Sequence, residues 1–177
     1  MRMFSLFFTR AAAILVVPLL ISSLFFSYLY YTTGRNVKTG ASVVFAEISS
    51  MPGTITRLVL PDQSVVWLNA GSRLVYPSVF DEKERKVQLF GEGYFEVEAD
   101  PEHPFSVSTS EGLRVIAYGT KFNVNAYDDE PFIEAVLEKG KIDVIRNDER
   151  IRLEPNKQVV LNKESGVFRV SAVNLDE

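Results

Sequence analysis

The run Tyr94-Phe-Glu-Val-Glu-Ala99 places an apolar side chain at every second position. Successive side chains of a β-strand point to opposite faces of the sheet, so Phe95, Val97 and Ala99 are expected to share one face. The run Phe122-Asn-Val-Asn-Ala126 alternates in the same way. Both patterns are typical of antiparallel strands that are buried on one face and exposed on the other.

Outward from these two runs, turn residues divide the chain from residue 54 to residue 172 into short β-type runs. The runs are 54–60, 64–68, 85–90, 94–99, 105–109, 113–118, 121–127, 132–138, 141–146, 151–153, 158–161 and 167–172. Gly91-Glu-Gly93 is expected to end one strand, and Glu138-Lys-Gly-Lys141 is expected to form a tight hairpin with a positive φ at Gly140. This spacing predicts an all-β fold, either a two-sheet sandwich or an imperfect β-solenoid.

The N-terminal part has a different character, because residues 11–34 carry no charge and the first acid of the chain is Glu47. A helix of about 20 apolar residues can cross a bilayer, and positive flanks such as Arg2 and Arg10 stay in the cytoplasm. The predicted order is a cytoplasmic N-terminus at 1–10, a transmembrane helix at 11–31, a juxtamembrane segment at 32–53 and a β-domain across the membrane at 54–177. A cleaved signal peptide is the alternative, but its apolar core is shorter, about 7–15 residues.

Composition excludes several kinds of partner and cofactor. The chain carries 23 acidic and 19 basic residues, and Arg2 and Arg10 precede the predicted helix, so the β-domain is acidic. An acidic domain lacks the basic stripe that attracts nucleic acid or an anionic lipid surface. Cysteine is absent and there is one histidine, so disulfides and thiolate metal sites are excluded, and no metal or cofactor is predicted.

No residue pattern predicts catalysis. His103 lies in a turn beside Pro104, where a solvated side chain is a simpler interpretation than a catalytic base. Glu96 and Glu98 share one face of a predicted strand, but neighbouring outward carboxylates are more often a wet surface than a glycosidase pair. The aromatic side chains allow two interpretations, core packing or stacking on sugars, and core packing is favoured. They are Trp67, Tyr76, Tyr94, Tyr118 and Tyr127.

Four blocks of the predicted β-domain carry a family resemblance. They are Leu60-Pro-Asp-Gln-Ser-Val-Val-Trp-Leu-Asn-Ala-Gly-Ser-Arg-Leu-Val-Tyr-Pro77, Arg85-Lys-Val-Gln-Leu-Phe-Gly-Glu-Gly-Tyr-Phe-Glu-Val97, Pro104-Phe-Ser-Val107 and Gly119-Thr-Lys-Phe-Asn-Val-Asn-Ala-Tyr127. In order and spacing they resemble the periplasmic domain of FecR-type proteins, the membrane-anchored sigma-factor regulators. The motif residues, whose roles are expected to be structural, are Pro61, Asp62, Ser64, Trp67, Leu68, Asn69, Gly71, Gly91, Glu92, Tyr94, Phe95, Val97, Phe105, Val107, Gly119, Thr120, Phe122, Asn123 and Val124.

The resemblance implies a relay between two compartments. In such proteins a cytoplasmic segment binds an extracytoplasmic-function sigma factor, and the periplasmic domain senses the signalling domain of an outer-membrane TonB-dependent receptor. A single-pass inner-membrane protein without catalysis, cofactor or metal is therefore expected. About ten residues precede the predicted helix, so a sigma factor is expected to be bound only through a cytoplasmic segment absent from this sequence. The small domain that often follows the periplasmic part is also absent, and the chain is expected to be truncated at both ends.

The family pattern also suggests local roles. Pro61 and Asp62 are expected to start a turn, in which Gln63 stands where the family favours glycine. A left-handed backbone at Gln63 would be strained by about 1 kcal/mol. Trp67 is predicted to be buried in the core, and Gly91 and Gly93 to allow a bulge or a tight turn. The rival interpretation is a membrane-anchored glycan-binding or cell-surface β-module that uses exposed aromatic side chains.

Overall fold

The computed structural model describes residues 18–29 and 43–174, which belong to two compact units divided after Ser42. In the first unit, residues 18–29 are helical. Several parts of the predicted anchor region lie outside the described residues, namely 1–10, 11–17, 30–31 and 32–42. In the described part of the chain, no helix has both the length and the apolar character that crossing a membrane requires.

The described part of the second unit is built from thirteen β-strands, which confirms the all-β prediction. They are β1 (Phe45–Ser49), β2 (Thr56–Val59), β3 (Val65–Leu68), β4 (Arg73–Pro77), β5 (Arg85–Glu96), β6 (Phe105–Ser108), β7 (Arg114–Ala117), β8 (Lys121–Ala126), β9 (Phe132–Lys139), β10 (Ile142–Arg146), β11 (Glu149–Leu153), β12 (Lys157–Asn162) and β13 (Phe168–Ala172). The turns between them carry the glycine, proline and asparagine residues that the sequence places there.

The strands form one curled sheet in which β5 is shared by two halves. Sheet A has the order β1-β4-β5-β6-β7-β10-β11. Sheet B has the order β2-β3-β5-β8-β9-β12-β13. Among the described strand pairs, β5 and β6 run parallel and the others are antiparallel. The predicted sandwich or solenoid is therefore a single sheet that curls around one core.

The strand β5 is continuous through Gly91-Glu-Gly93, where the sequence predicted a strand end. Its odd-numbered residues stay buried from Arg85 to Phe95, so the alternation is unbroken across the two glycines. Gly91 has a φ of +87°, and a side chain there would place its Cβ 2.6 Å from the hydroxyl oxygen of Ser72. This glycine therefore allows the close contact at which β5 passes from sheet A to sheet B, as expected of a bulge position.

Three other local predictions are corrected by the strand pairing. β1 lies within the predicted juxtamembrane segment 32–53 and pairs with β4, which was absent from the predicted runs. The sheet therefore begins earlier in the chain than predicted. The turn at Glu138-Lys-Gly-Lys141 has the expected positive φ at Gly140, +95°, but it is not a hairpin. β9 pairs with β8 and β12, whereas β10 pairs with β7 and β11, so this turn connects sheet B to sheet A.

The core is one hydrophobic cluster drawn from both sheets. At its centre the rings of Phe95 and Phe122 are stacked with centroids 5.1 Å apart, and Phe105 lies 6.2 Å from Phe95. All three rings are fully buried. Burying a phenylalanine side chain contributes about 1.5–3 kcal/mol. These three rings therefore stabilise the packing of β5, β6 and β8 in the core. The motif residues lie mostly on or beside these strands.

Candidate functional site

The outer face of sheet B carries a line of side chains that crosses neighbouring strands in register. We call it the outer row, and it consists of Arg57, Trp67, Tyr94, Asn123, Val136, Gln158 and Ser171. Arg57 is exposed and the other six are half-buried. Residues opposite each other on adjacent strands have Cβ atoms about 4.5–5.5 Å apart. The outer row is therefore a continuous strip of contacting side chains on the face opposite the core.

Trp67 belongs to the outer row, so the prediction that it is buried in the core is wrong. On β3 the core positions are taken by Val66 and Leu68, which are both 0% exposed. Side chains alternate along a strand, and Trp67 therefore points to the opposite face. There its ring centroid lies 5.6 Å from that of Tyr94, and the Arg57 guanidinium lies 5.6 Å from the indole.

A shallow cleft of about 220 Å³ opens beside the indole. We call it the Trp67 cleft, and its lining is Ile55, Trp67, Asn69, Glu92, Tyr94 and Asn123. Glu92 is its polar centre, because the side-chain amide of Asn69 donates to Oε2 at 2.5 Å and that of Asn123 donates to Oε1 at 2.8 Å. The backbone N–H of Ala70 in turn donates to Asn69 Oδ1. Two strand positions and Asn69, the residue after β3, thus hold one carboxylate and two amides in fixed orientations.

The charged and phenolic groups next to the cleft are paired. The Tyr94 hydroxyl donates to Glu138 at 2.6 Å, and Lys121 forms an ion pair of 2.7 Å with Glu96. Burial raises the pKa of Tyr94, and the hydrogen bond to Glu138 raises it further. The hydrogen bond to Glu96 raises the pKa of Lys121. Tyr94 is therefore a neutral donor, and Lys121 is a cation, at neutral pH.

A second polar cluster fixes the turn before β3. The buried Arg85 guanidinium donates to Asp62 at 2.7 Å and to the backbone carbonyl of Glu98 at 3.1 Å. Asp62 also accepts from the hydroxyl of Ser64, and the backbone N–H of Glu98 donates to that hydroxyl. This buried ion pair and its additional hydrogen bonds hold the turn against Arg85 and Glu98. The predicted turn roles of Asp62 and Ser64 thus rest on a partner, Arg85, that the sequence did not single out.

The structure divides the predicted motif residues into three groups. Buried core positions are Leu68, Phe95, Val97, Phe105, Val107, Phe122 and Val124. Turns and close backbone contacts hold Pro61, Asp62, Ser64, Gly71, Gly91, Gly119 and Thr120. The outer face of sheet B brings together Trp67, Asn69, Glu92, Tyr94 and Asn123. Sequence reasoning missed Ile55, Arg57 and Glu138 beside this third group, because their proximity depends on strand pairing that local patterns do not encode.

A wider groove of about 690 Å³ lies at the other end of the same face. We call it the β13 groove. Its lining includes Phe132, Glu134, Gln158, Val167 and Arg169. Phe132 and Val167 are 42% and 62% exposed, and both acidic and basic groups are present. Among the described strands β13 pairs with β12 alone, so the groove adjoins an edge strand of sheet B.

His103 and the acidic side chains of the described ranges form no metal-binding cluster. Within residues 18–29 and 43–174, no three His, Asp or Glu side chains are placed to hold a metal ion. His103 Nδ1 lies 2.8 Å from the Asp100 carboxylate, and this hydrogen bond lowers the pKa of Asp100. Glu96 is paired with Lys121. The site that stands out is therefore a binding surface on the outer face of sheet B.

Comparison with known proteins finds solved structures with a similar fold. Two crystal structures of a "putative anti-sigma factor" from Parabacteroides distasonis are similar, each at 34% sequence identity. Their TM-scores are 0.72 and 0.70, and the matches cover 74% and 73% of this chain. The same matches cover 61% and 60% of those proteins, so this chain spans about three fifths of their length. No curated protein matches.

The family follows from the sequence model for FecR protein, which matches residues 46–143. That range begins within β1, contains β2 to β9 and ends within β10. The match covers more than half of the chain. The chain belongs to the FecR protein family, as the four sequence blocks predicted.

Proposed function

We propose that this chain is the periplasmic sensing module of a membrane-anchored sigma-factor regulator. In this proposal the β-domain receives the signalling domain of an outer-membrane TonB-dependent receptor, and the regulator passes the signal to an extracytoplasmic-function sigma factor in the cytoplasm. The proposal involves no catalytic step. The observation that carries it is membership of the FecR family, supported by the anti-sigma-factor description of the two similar crystal structures.

The β13 groove is the surface we assign to the receptor's signalling domain. An edge strand offers unpaired backbone groups to which a partner can add a strand, and neighbouring pockets then select its side chains. The groove supplies exposed apolar contacts at Phe132 and Val167, with Glu134 and Arg169 among its charged groups. Apolar contacts surrounded by polar groups are typical of protein interfaces. The rigid core beneath β12 would let a partner bound here act on the domain as one unit.

The binding test uses the full chain and the purified signalling domains of TonB-dependent receptors from the same genome. We expect saturable binding of at least one domain, measured by surface plasmon resonance. Val167→Asp should weaken it at least about tenfold, because an unpaired carboxylate would be buried in the contact. The matched control is Asn123→Ala, in the Trp67 cleft on the same face. Equal binding by the wild type and Val167→Asp would contradict the assigned surface, and the absence of binding by every domain would contradict the receptor partner.

The membrane anchor is a separate part of the proposal. The uncharged run 11–34 and the preceding Arg2 and Arg10 support an uncleaved helix with the β-domain in the periplasm. The chain has no cysteine, so Asn36→Cys introduces one unique thiol. We expect an impermeant maleimide to label it in cells whose outer membrane has been opened. Labelling that needs lysis of the inner membrane would reverse the proposed orientation.

A further inference from the structure

We propose that the Trp67 cleft is a binding site for a neutral carbohydrate. The proposal does not rest on the sigma-factor role, because it uses a different part of sheet B from the β13 groove. It is drawn from three observations: an aromatic side chain on the outer face, a fixed set of hydrogen-bonding groups beside it, and the pairing of the charges around it.

The aromatic wall is positioned before any ligand arrives. Trp67 lies between Arg57 and Tyr94, each 5.6 Å from the centre of its ring. These neighbours restrict the indole, so a ligand would lose little free energy in ordering it. The part of the indole that lines the cleft offers an apolar surface to the C–H face of a sugar ring. Ile55, which is 70% exposed, adds a second apolar contact to the cleft.

The polar groups beside the indole suit the hydroxyls of a sugar. Glu92 accepts one hydrogen bond from Asn69 and one from Asn123, which fixes the planes of both amides. An amide nitrogen carries two hydrogens and a carboxylate oxygen has more than one lone pair, so donors and acceptors remain. A few fixed polar groups next to an aromatic surface are the composition of small-molecule sites. The volume of about 220 Å³ is below the usual range for cofactor pockets, which favours a single ring.

The charges around the cleft favour a neutral ligand. Glu92 is held by two amides, Glu96 by Lys121, and Glu138 by the Tyr94 hydroxyl. The Arg57 guanidinium lies over the indole. A cationic ligand would have to displace the two amides from Glu92 or Lys121 from Glu96, and an anionic ligand would have to draw Arg57 away from the indole. A polyhydroxyl ligand needs no such exchange.

The first experiment uses Trp67 as its own probe, since it is the single tryptophan of the chain. The full chain is kept in an amine-oxide detergent, because maltoside and glucoside detergents carry sugar headgroups that would compete. It is screened against an array of neutral and acidic glycans, and the bound glycans are titrated while tryptophan emission is followed. We expect neutral glycans to bind and to give a saturable change in emission. An array without neutral binders, or one dominated by acidic glycans, would overturn the proposal.

The second experiment locates the site with matched variants. Trp67→Ala and Asn123→Ala should each weaken binding at least about tenfold by calorimetry. Gln158→Ala, on the same outer row but at the β13 end, should bind as the wild type does. Thermal unfolding shows whether each variant is folded. If Trp67→Ala is unfolded, Asn123→Ala provides the test. Unchanged affinity in a folded cleft variant would overturn the site, as would emission changes caused by dimerisation alone. Receptor binding should be kept in Asn123→Ala, which separates this test from that of the proposed function.

Discussion

Sheet B presents two rows of side chains that lie one residue apart on the same strands. We call the buried one the inner row, and it consists of Leu68, Gly93, Val124, Ala135 and Val159. Its members are buried and apolar, whereas the outer row holds the indole, the phenol, two amides and a hydroxyl. The largest side chain of the chain is on the outer face, and a glycine is on the inner face. Strand register, not side-chain size, therefore decides which residues make the core.

The glycine in the inner row has a packing reason. A Cβ at Gly93 would lie 3.2 Å from the ring of Phe95 and 3.3 Å from a methyl group of Leu89. The space is already filled by the neighbours on its own strand, so a side chain there would force these neighbours to shift by a few tenths of an ångström. Trp67 pairs with Tyr94, the residue after Gly93, and its side chain lies on the opposite face of the sheet. The same alternation thus produces a close-packed apolar layer on one side of the sheet and a half-buried surface of mainly polar and aromatic side chains on the other.

The largest loss of stability is expected when one aromatic ring is removed from the core. Phe95→Ala should destabilise the domain by about 3–5 kcal/mol, because it leaves a cavity between Phe122 and Phe105. Urea unfolding followed by circular dichroism measures the change. The matched variant is Tyr94→Ala, one residue away in the outer row, which should cost clearly less. Equal losses for the two variants would mean that both faces of sheet B are packed alike.

The outer face of sheet A carries a cluster of charged side chains. Asp143 on β10 accepts hydrogen bonds from Arg150 and Arg152, and its side chain is 2% exposed. The hydrogen bond from Arg152, followed by that from Arg150, holds its pKa below the usual value. Asp143→Asn should destabilise the domain by about 1–3 kcal/mol at pH 7, since the carboxylate and its two charge-assisted bonds are lost.

The pH dependence of that loss follows from the direction of the pKa shift. A lowered folded-state pKa stabilises the protein fully above the unfolded value of about 3.9, and the stabilisation declines as the pH falls through the folded value. The difference in unfolding free energy between wild type and Asp143→Asn should therefore be constant from pH 5 to pH 7 and shrink below about pH 4. Urea titrations at a series of pH values measure it. A difference that is the same at pH 3 and pH 7 would contradict the ion-pair interpretation.

Particular residues show how far the sequence alone could predict this structure. The alternation at Phe95 and Phe122 correctly gave the core face, because period-two patterning is a local property. It could not place Trp67, since Val65-Val-Trp-Leu68 is apolar throughout and has no polar position to mark its outer face. The Trp67 cleft depends on pairings between strands that are distant in the chain, such as Asn69 with Glu92. The polar members were present among the family motif residues, but their common site was visible only after the register was known.

The Trp67→Ala variant measures how much an outer-row side chain contributes to stability. Truncation of a core tryptophan costs about 3–5 kcal/mol. With the indole on the outer face, we expect about 1–2 kcal/mol, from lost contacts with Tyr94 and Arg57. Chemical unfolding at neutral pH measures it, with Trp67→Phe as the conservative control. A loss as large as that of Phe95→Ala would place the indole in the core after all.

The smallest effect concerns the turn that sets the register on which both rows depend. Gln63 has a φ of +71°, a left-handed backbone that costs a non-glycine residue roughly 1 kcal/mol. The turn is closed by hydrogen bonds between Leu60 and its partners Gln63 and Ser64, and a slip of one residue here would exchange the faces of β3. Gln63→Gly should relieve the strain and stabilise the domain by up to about 1 kcal/mol, reduced by the greater entropy of glycine in the unfolded chain.

Asn156→Gly, at another left-handed position with φ +60°, is the matched control and should gain less, because asparagine tolerates this region better. A lower urea midpoint for Gln63→Gly than for the wild type would show that contacts of the Gln63 side chain outweigh the backbone strain.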